Sequence, residues 1–105
     1  MTAGRIDLLR RLSEAIAPSG FEDTVRQIVI DEVSPLVDDV RVDRLGNVIA
    51  TRNGRRPETL LLDAHMDEVG FLVSYVEDDG FLRLSPLGGW DARVLPAHAI
   101  TIVGR

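Results

Sequence analysis

Apolar side chains along residues 5–17, RIDLLRRLSEAIA, fall at positions 6, 8, 9, 12 and 16. That 3.6-residue rhythm predicts an amphipathic helix, which Pro18 should end. A second helix is expected within PSGFEDTVRQIVIDEVSPLV, where Ser19 followed by Glu22 fits a capping box with Ser at the N-cap. Its core face would carry Val25, Ile28, Val29, Val33 and Leu36, and Pro35 should close its regular part with at most one further turn. The period then shortens to two. Val40 and Val42 alternate with polar neighbours, Gly46-Asn47 makes a turn, and Val48-Ile49 begins a strand that stops at Asn53-Gly54, which reads as a hairpin. TLLLDAHM is a continuous apolar run, the pattern of a strand covered on both faces. A second hairpin is expected from Phe71, Val73 and Tyr75 through Asp78-Asp79-Gly80 to Phe81-Leu82 and Leu84, and HAITIVGR reads as a last strand. The order is helix, helix, hairpin, buried strand, then a β-rich stretch.

Most of these segments are ordinary. The stretch LLLDAHMDEVGF is not, because Leu60-Leu61-Leu62 gives way to Asp63, His65 and Asp67. On an extended segment these alternate residues project to one side. A ligand at the C-terminal end of a central strand sits where open α/β sheets hold their sites. Imidazole suits zinc and cobalt, and a metal-bound His usually gives its other ring N–H to a carboxylate or carbonyl. A carboxylate two residues away can bind the metal, support the histidine, or do neither. His-x-Asp equally describes a strand-end His bonded to its neighbours, and spacing alone leaves both readings open.

Composition narrows the chemistry. The chain of 105 residues suits one domain with a modest core. It has no Cys, so any metal must use His and carboxylate ligands. A formal charge of −5 with no basic block argues against nucleic-acid binding. No apolar run approaches a membrane span and Met1 to Arg11 lacks a signal-peptide core, so a cytoplasmic protein is expected. All twelve basic residues are Arg, which suits bidentate carboxylate pairing, although codon bias gives the same composition. There are two His, whereas a hydrolytic zinc site needs about three protein ligands. His98, in LPAHAITI, reads as a core or edge histidine, and Asp38-Asp39 and Asp78-Asp79 as solvated turn residues. From spacing alone no complete active site can be built.

Five pieces taken in order carry more: PSGFE with VR (18–22, 25–26), DRLGNVIA (43–50), LLLDAHMDEVGF (60–71), LGGWDARVL (87–95) and ITIVGR (100–105). Together they resemble the co-catalytic metallo-aminopeptidase family of glutamyl and deblocking aminopeptidases, some of whose members are labelled endoglucanase or cellulase. The resemblance implies that His65 is a ligand of one of two divalent metals, zinc or cobalt, and that Asp67 is the supporting acid of the catalytic site, which orients that histidine. It gives no role to Glu68, and Asp63 is read as a strand residue outside the site.

The fold implied is α/β: the N-terminal part of a mixed-sheet zinc-aminopeptidase-like catalytic domain over residues 1–69, then the start of a β-rich lid and dimerisation insert over 70–105. Gly88-Gly89 would be a tight turn needing positive φ, and Trp90 a packing anchor or a substrate contact. Peptide substrates and a homo-oligomer are implied, with no nucleic-acid or membrane partner. The chain corresponds to roughly the first third of a member and lacks the bridging Asp, the Glu base, the remaining ligands and the second His. It is therefore expected to be inactive alone. Two alternatives are a self-associating β-rich module and a related hydrolase acting on another substrate.

Overall fold

A computed structural model describes residues 3–104. The chain divides into two compact units, one extending to Glu68 and one beginning at Val69.

The first unit contains helices α1 (Ala3–Glu14) and α2 (Asp23–Val33), a 3₁₀ turn (Ser34–Leu36) and strands β1 (Asp39–Val42) and β2 (Val48–Thr51). Helix α1 stops three residues before the expected end. Ala17 precedes a proline, which biases it away from helical geometry, and its N–H and C=O are both bonded to Glu68. The capping box does not form. The N-cap of α2 is Glu22, without a side-chain cap bond. Glu22 Oε1 accepts from Gly20 N–H at 2.6 Å instead, and Ser19 bonds elsewhere. Pro35 sits in the 3₁₀ turn that closes the helix.

Strands β1 and β2 pair antiparallel, with Val42 opposite Val48. Their connection is wider than a Gly-Asn turn. The Asp43 carboxylate accepts from the backbone N–H groups of Leu45 and Asn47 and from Asn47 Nδ2, each at 2.8–2.9 Å. Asp38 is more than a solvated residue, since its carboxylate accepts from Asn53 N–H at 2.6 Å and fastens the open end of the hairpin.

The expected core is thin. Among the described residues only Ala17 and Val25 are buried apolar positions, and Leu36, at the end of the anticipated face of α2, is exposed. Two helices and a two-stranded sheet do not provide enough surface to cover one another's apolar faces. The buried strand over TLLLDAHM does not form either: these residues belong to no helix or strand, and Leu60, Leu61 and Leu62 are 82%, 84% and 85% exposed. A strand apolar on both faces needs a ladder partner and two covering layers, and none is present among the described residues.

The second unit is built on β3 (Gly70–Val76) and β4 (Leu82–Leu87), antiparallel with a bulge between Val73 and Tyr75. Gly80 supplies positive φ at the tip, beside Asp78 and Asp79. After β4, Gly88 takes φ +82°. Trp90 then stacks on Phe71, with centroids 4.8 Å apart and planes 15° apart, and donates Nε1–H to Gly70 O at 2.9 Å. It is a packing anchor. A 3₁₀ turn (Ala92–Val94) follows. The last expected strand is absent over 98–104, which have no ladder partner, and Arg105 lies outside the described residues. His98 is exposed, neither in a core nor on a strand edge.

Candidate functional site

The first backbone hydrogen bond after Leu62 is made by Glu68. Its N–H donates to Ala17 C=O and its Oε1 accepts from Ala17 N–H, both at 2.9 Å. Pro18 and Glu68 form an isolated parallel bridge. Ala17 is 2% exposed, so both of its peptide groups need protein partners, and Glu68 provides them. Glu68 is thus the fastening between two sequence-distant segments, a role no sequence signal indicated.

This fastening brings Ser19 beside Asp67. The Ser19 hydroxyl donates to Asp67 Oδ2 at 2.5 Å. His65 Nδ1 lies 3.0 Å from Asp67 Oδ1 and 3.0 Å from the Asp67 carbonyl oxygen. Both oxygens can only accept, so Nδ1 carries the hydrogen, and in the neutral imidazole Nε2 keeps its lone pair. The Ser19 hydroxyl, followed by the His65 imidazole, holds the Asp67 carboxyl below the usual carboxylate range. The His65 side chain is 85% exposed and that of Asp67 39%.

His65 and Asp67 border an open depression whose other lining residues are Glu22, Arg26, Leu45, Gly46, Asn47, Ala64 and Met66. Arg26, on α2, donates Nε–H to Gly46 C=O at 2.8 Å and pairs with Asp23 and with Glu22. Gly46 has φ +89°, and a Cβ there would lie 2.6 Å from Arg26 Nη2. The glycine therefore permits both the turn and the close approach of the guanidinium. Arg26 and Asp43 shape this wall. Neither residue was singled out in the sequence; an Asp four residues before an Asn is a signal that could have found the Asp43 turn, whereas nothing in the sequence marks Arg26 as the neighbour of Gly46.

Of the residues singled out in advance, His65 and Asp67 come together. Asp63 is exposed and outside any strand, and His98 belongs to the second unit. Among the described residues no group of three His, Asp or Glu side chains gathers that could hold a metal ion. His65, with Nδ1–H engaged and Nε2 available, fits as one ligand of a divalent metal. The described residues do not complete a metal site.

The arrangement is that of a mixed α/β chain carrying a carboxylate-backed imidazole on the segment that follows an apolar run. The sequence signature of the M42 glutamyl aminopeptidase family matches residues 46–105, and the chain belongs to that family. Its relatives include the lysyl aminopeptidase of Pyrococcus furiosus, 38% identical over 95 residues, a match covering 90% of this chain and 26% of that one. Solved structures agree. The TET aminopeptidase of the archaeon Thaumarchaeota archaeon SCGC AB-539-E09 superposes with a TM-score of 0.83 at 40% identity, over 88% of this chain and 26% of that one. A Thermotoga maritima protein named endoglucanase gives 0.79 at 46% identity, over 84% and 29%. The TET1 peptidase of Pyrococcus horikoshii, which assembles into a tetrahedron or a large octahedral shell, gives 0.73 at 36% identity, over 84% and 26%. The chain thus spans little more than a quarter of the length of the relatives it matches. No helix among the described residues is long and apolar enough to cross a membrane.

Proposed function

We propose that this chain is part of a metal-dependent aminopeptidase that removes N-terminal residues from peptides. In this reading His65 is one ligand of one of two divalent metals, zinc or cobalt, and Asp67 orients it. The observation that carries the reading is the position of His65 Nδ1, 3.0 Å from two Asp67 oxygens, which in the neutral imidazole leaves Nε2 as a donor atom. When bound, the metals would supply Lewis-acid activation for hydrolysis. This chain's own contribution is to fix one imidazole in one tautomer and to shape the adjoining wall with Arg26 and the Asp43–Asn47 turn. The unit ending near residue 69 is read as part of the catalytic domain, and residues 70–105 as the beginning of a lid and dimerisation insert. A cytoplasmic homo-oligomer is the proposed setting, in keeping with the shells formed by the Pyrococcus horikoshii relative.

The isolated chain is proposed to be inactive, because one exposed imidazole cannot hold a metal that several ligands must share. The test replaces the matched segment of the Pyrococcus furiosus lysyl aminopeptidase with this chain. With cobalt or zinc, the chimera should release N-terminal residues from peptides, the chain alone should not, and His65→Ala should abolish turnover of the chimera. Full activity of the His65→Ala chimera would reject the ligand role, and turnover by the chain alone would reject its dependence on other segments.

A further inference from the structure

We infer that Ser19 is a positioning residue for the His65 imidazole, acting through the Asp67 carboxylate. Sequence spacing assigns Ser19 to capping α2, yet α2 has Glu22 at its N-cap and no side-chain cap bond. The hydroxyl instead reaches a residue 48 positions away and donates to Asp67 Oδ2. Oδ1 of the same carboxylate accepts from His65 Nδ1 at 3.0 Å.

A carboxylate turns about its last torsion in a broad, two-fold well. Asp67 is 39% exposed and His65 85% exposed, so water competes for every group in this chain of contacts. The imidazole alone cannot hold the carboxylate in one plane. A second donor on the opposite oxygen selects that plane, and with it the direction from which the imidazole N–H is accepted. The donor is itself held in place. Two residues earlier, Ala17 exchanges two hydrogen bonds with Glu68, the neighbour of Asp67, and the intervening Pro18 has a ring-restricted φ. The backbone carrying the hydroxyl is thereby fixed against the backbone carrying the carboxylate.

This inference rests on the proposed role of His65. The hydroxyl raises the fraction of imidazole with hydrogen on Nδ1 and a lone pair on Nε2, the form that can ligate metal through Nε2. Arginine and carboxylate neighbours on the depression wall do not substitute for it, because Arg26 is already engaged with Gly46, Glu22 and Asp23.

The test measures tautomers by nitrogen NMR on the full chain with labelled imidazoles, at a pH above the imidazole titration. His98 is exposed, is the other of the two His, and serves as internal reference. At His65 the Nδ1–H form should predominate. Ser19→Ala should lower the ratio of Nδ1–H to Nε2–H about fivefold, the factor that one net hydrogen bond carries. Ser19→Cys, of similar size but a weak donor, should fall with it, and Ser19→Thr should restore the ratio. His98 should not change, and Val40 and Val48 amide shifts should show the hairpin intact. An unchanged His65 ratio in Ser19→Ala and Ser19→Cys, or a Ser19→Thr chain that behaves like them, overturns the inference. In the chimera, Ser19→Ala should lower kcat about 10–100-fold with KM nearly constant. Activity that survives His65→Ala would instead reject the metal-ligand reading, and the tautomer ratio would still judge Ser19 separately.

Discussion

Gly88 occupies a position where two independent steric costs meet, and the two can be separated by measurement. Its φ is +82°, and an added Cβ would lie 2.7 Å from Val69 Cγ1 and 3.4 Å from Val69 Cβ. Placing an L-residue in the left-handed region costs about 1–2 kcal/mol. Relieving the contact forces Val69 off its rotamer or moves the backbone, at about 0.5–1.5 kcal/mol. Gly88→Ala should therefore destabilise the second unit by about 1.5–3.5 kcal/mol. Val69 is 51% exposed, so Val69→Ala alone should cost about 1 kcal/mol or less from lost burial. The double variant removes the Cγ1 clash but keeps the φ cost. The pair should therefore be less destabilising than the sum of the singles by about 0.5–1.5 kcal/mol. The assay is urea unfolding followed by fluorescence of Trp90, the sole Trp of the chain and two residues from the substitution. Additivity of the two changes would refute the packing of Gly88 on Val69, and a neutral Gly88→Ala would refute the positive φ as well.

Two further outcomes follow from named contacts. Phe71→Leu removes the ring stacked on Trp90 and should cost about 0.5–1.5 kcal/mol. It should also shift Trp90 emission to the red in the folded chain, and an unmoved spectrum would count against the stack. Asp43 has its carboxyl held below the usual value of 3.8, first by the Asn47 side chain and then by the Asn47 backbone N–H. Because the folded value is depressed, the stabilisation is complete above the unfolded value and disappears as pH falls through the folded one. Carboxyl NMR should give Asp43 a midpoint below 3.8, with the Leu45 and Asn47 amides moving in step. A midpoint at or above that figure would contradict the turn geometry.

The parts of the fold legible in the sequence are those whose stabilising contacts are local. The two hairpins are marked by alternation and by Gly46 and Gly80, and α2 by its apolar face and Pro35. The misread elements depend on distant partners. Ala17 has helical periodicity, but its peptide groups bond to Glu68, which no local pattern reveals. Ser19-x-x-Glu22 satisfies a capping pattern that the Asp67 carboxylate overrides by offering a charged acceptor. Leu60-Leu61-Leu62 has the composition of a central strand, but composition cannot supply a ladder partner. At the site, the pairing of His65 with Asp67 was legible because it spans two residues. The contribution of Ser19 was not, because a helix and a hairpin separate it from Asp67 in the chain.

The same distinction explains how the candidate ligand is held. In an open α/β sheet a residue at a strand tip is positioned by backbone pairing on both sides. Here residues 59–66 have no such ladder, and the first backbone bond after them belongs to Glu68. The orientation of His65 is therefore set from its C-terminal side, by the chain of contacts running from Ala17 through Glu68, Ser19 and Asp67. Weakening the Glu68 fastening should loosen the imidazole even though Glu68 never touches it, because the hydroxyl and the carboxylate would no longer share a fixed frame. Conversely, adding a partner strand along Leu60–Leu62 would constrain His65 from its other side and would also cover the most exposed apolar run of the first unit. Burial of those leucines and alignment of His65 would thus be two effects of one added backbone ladder.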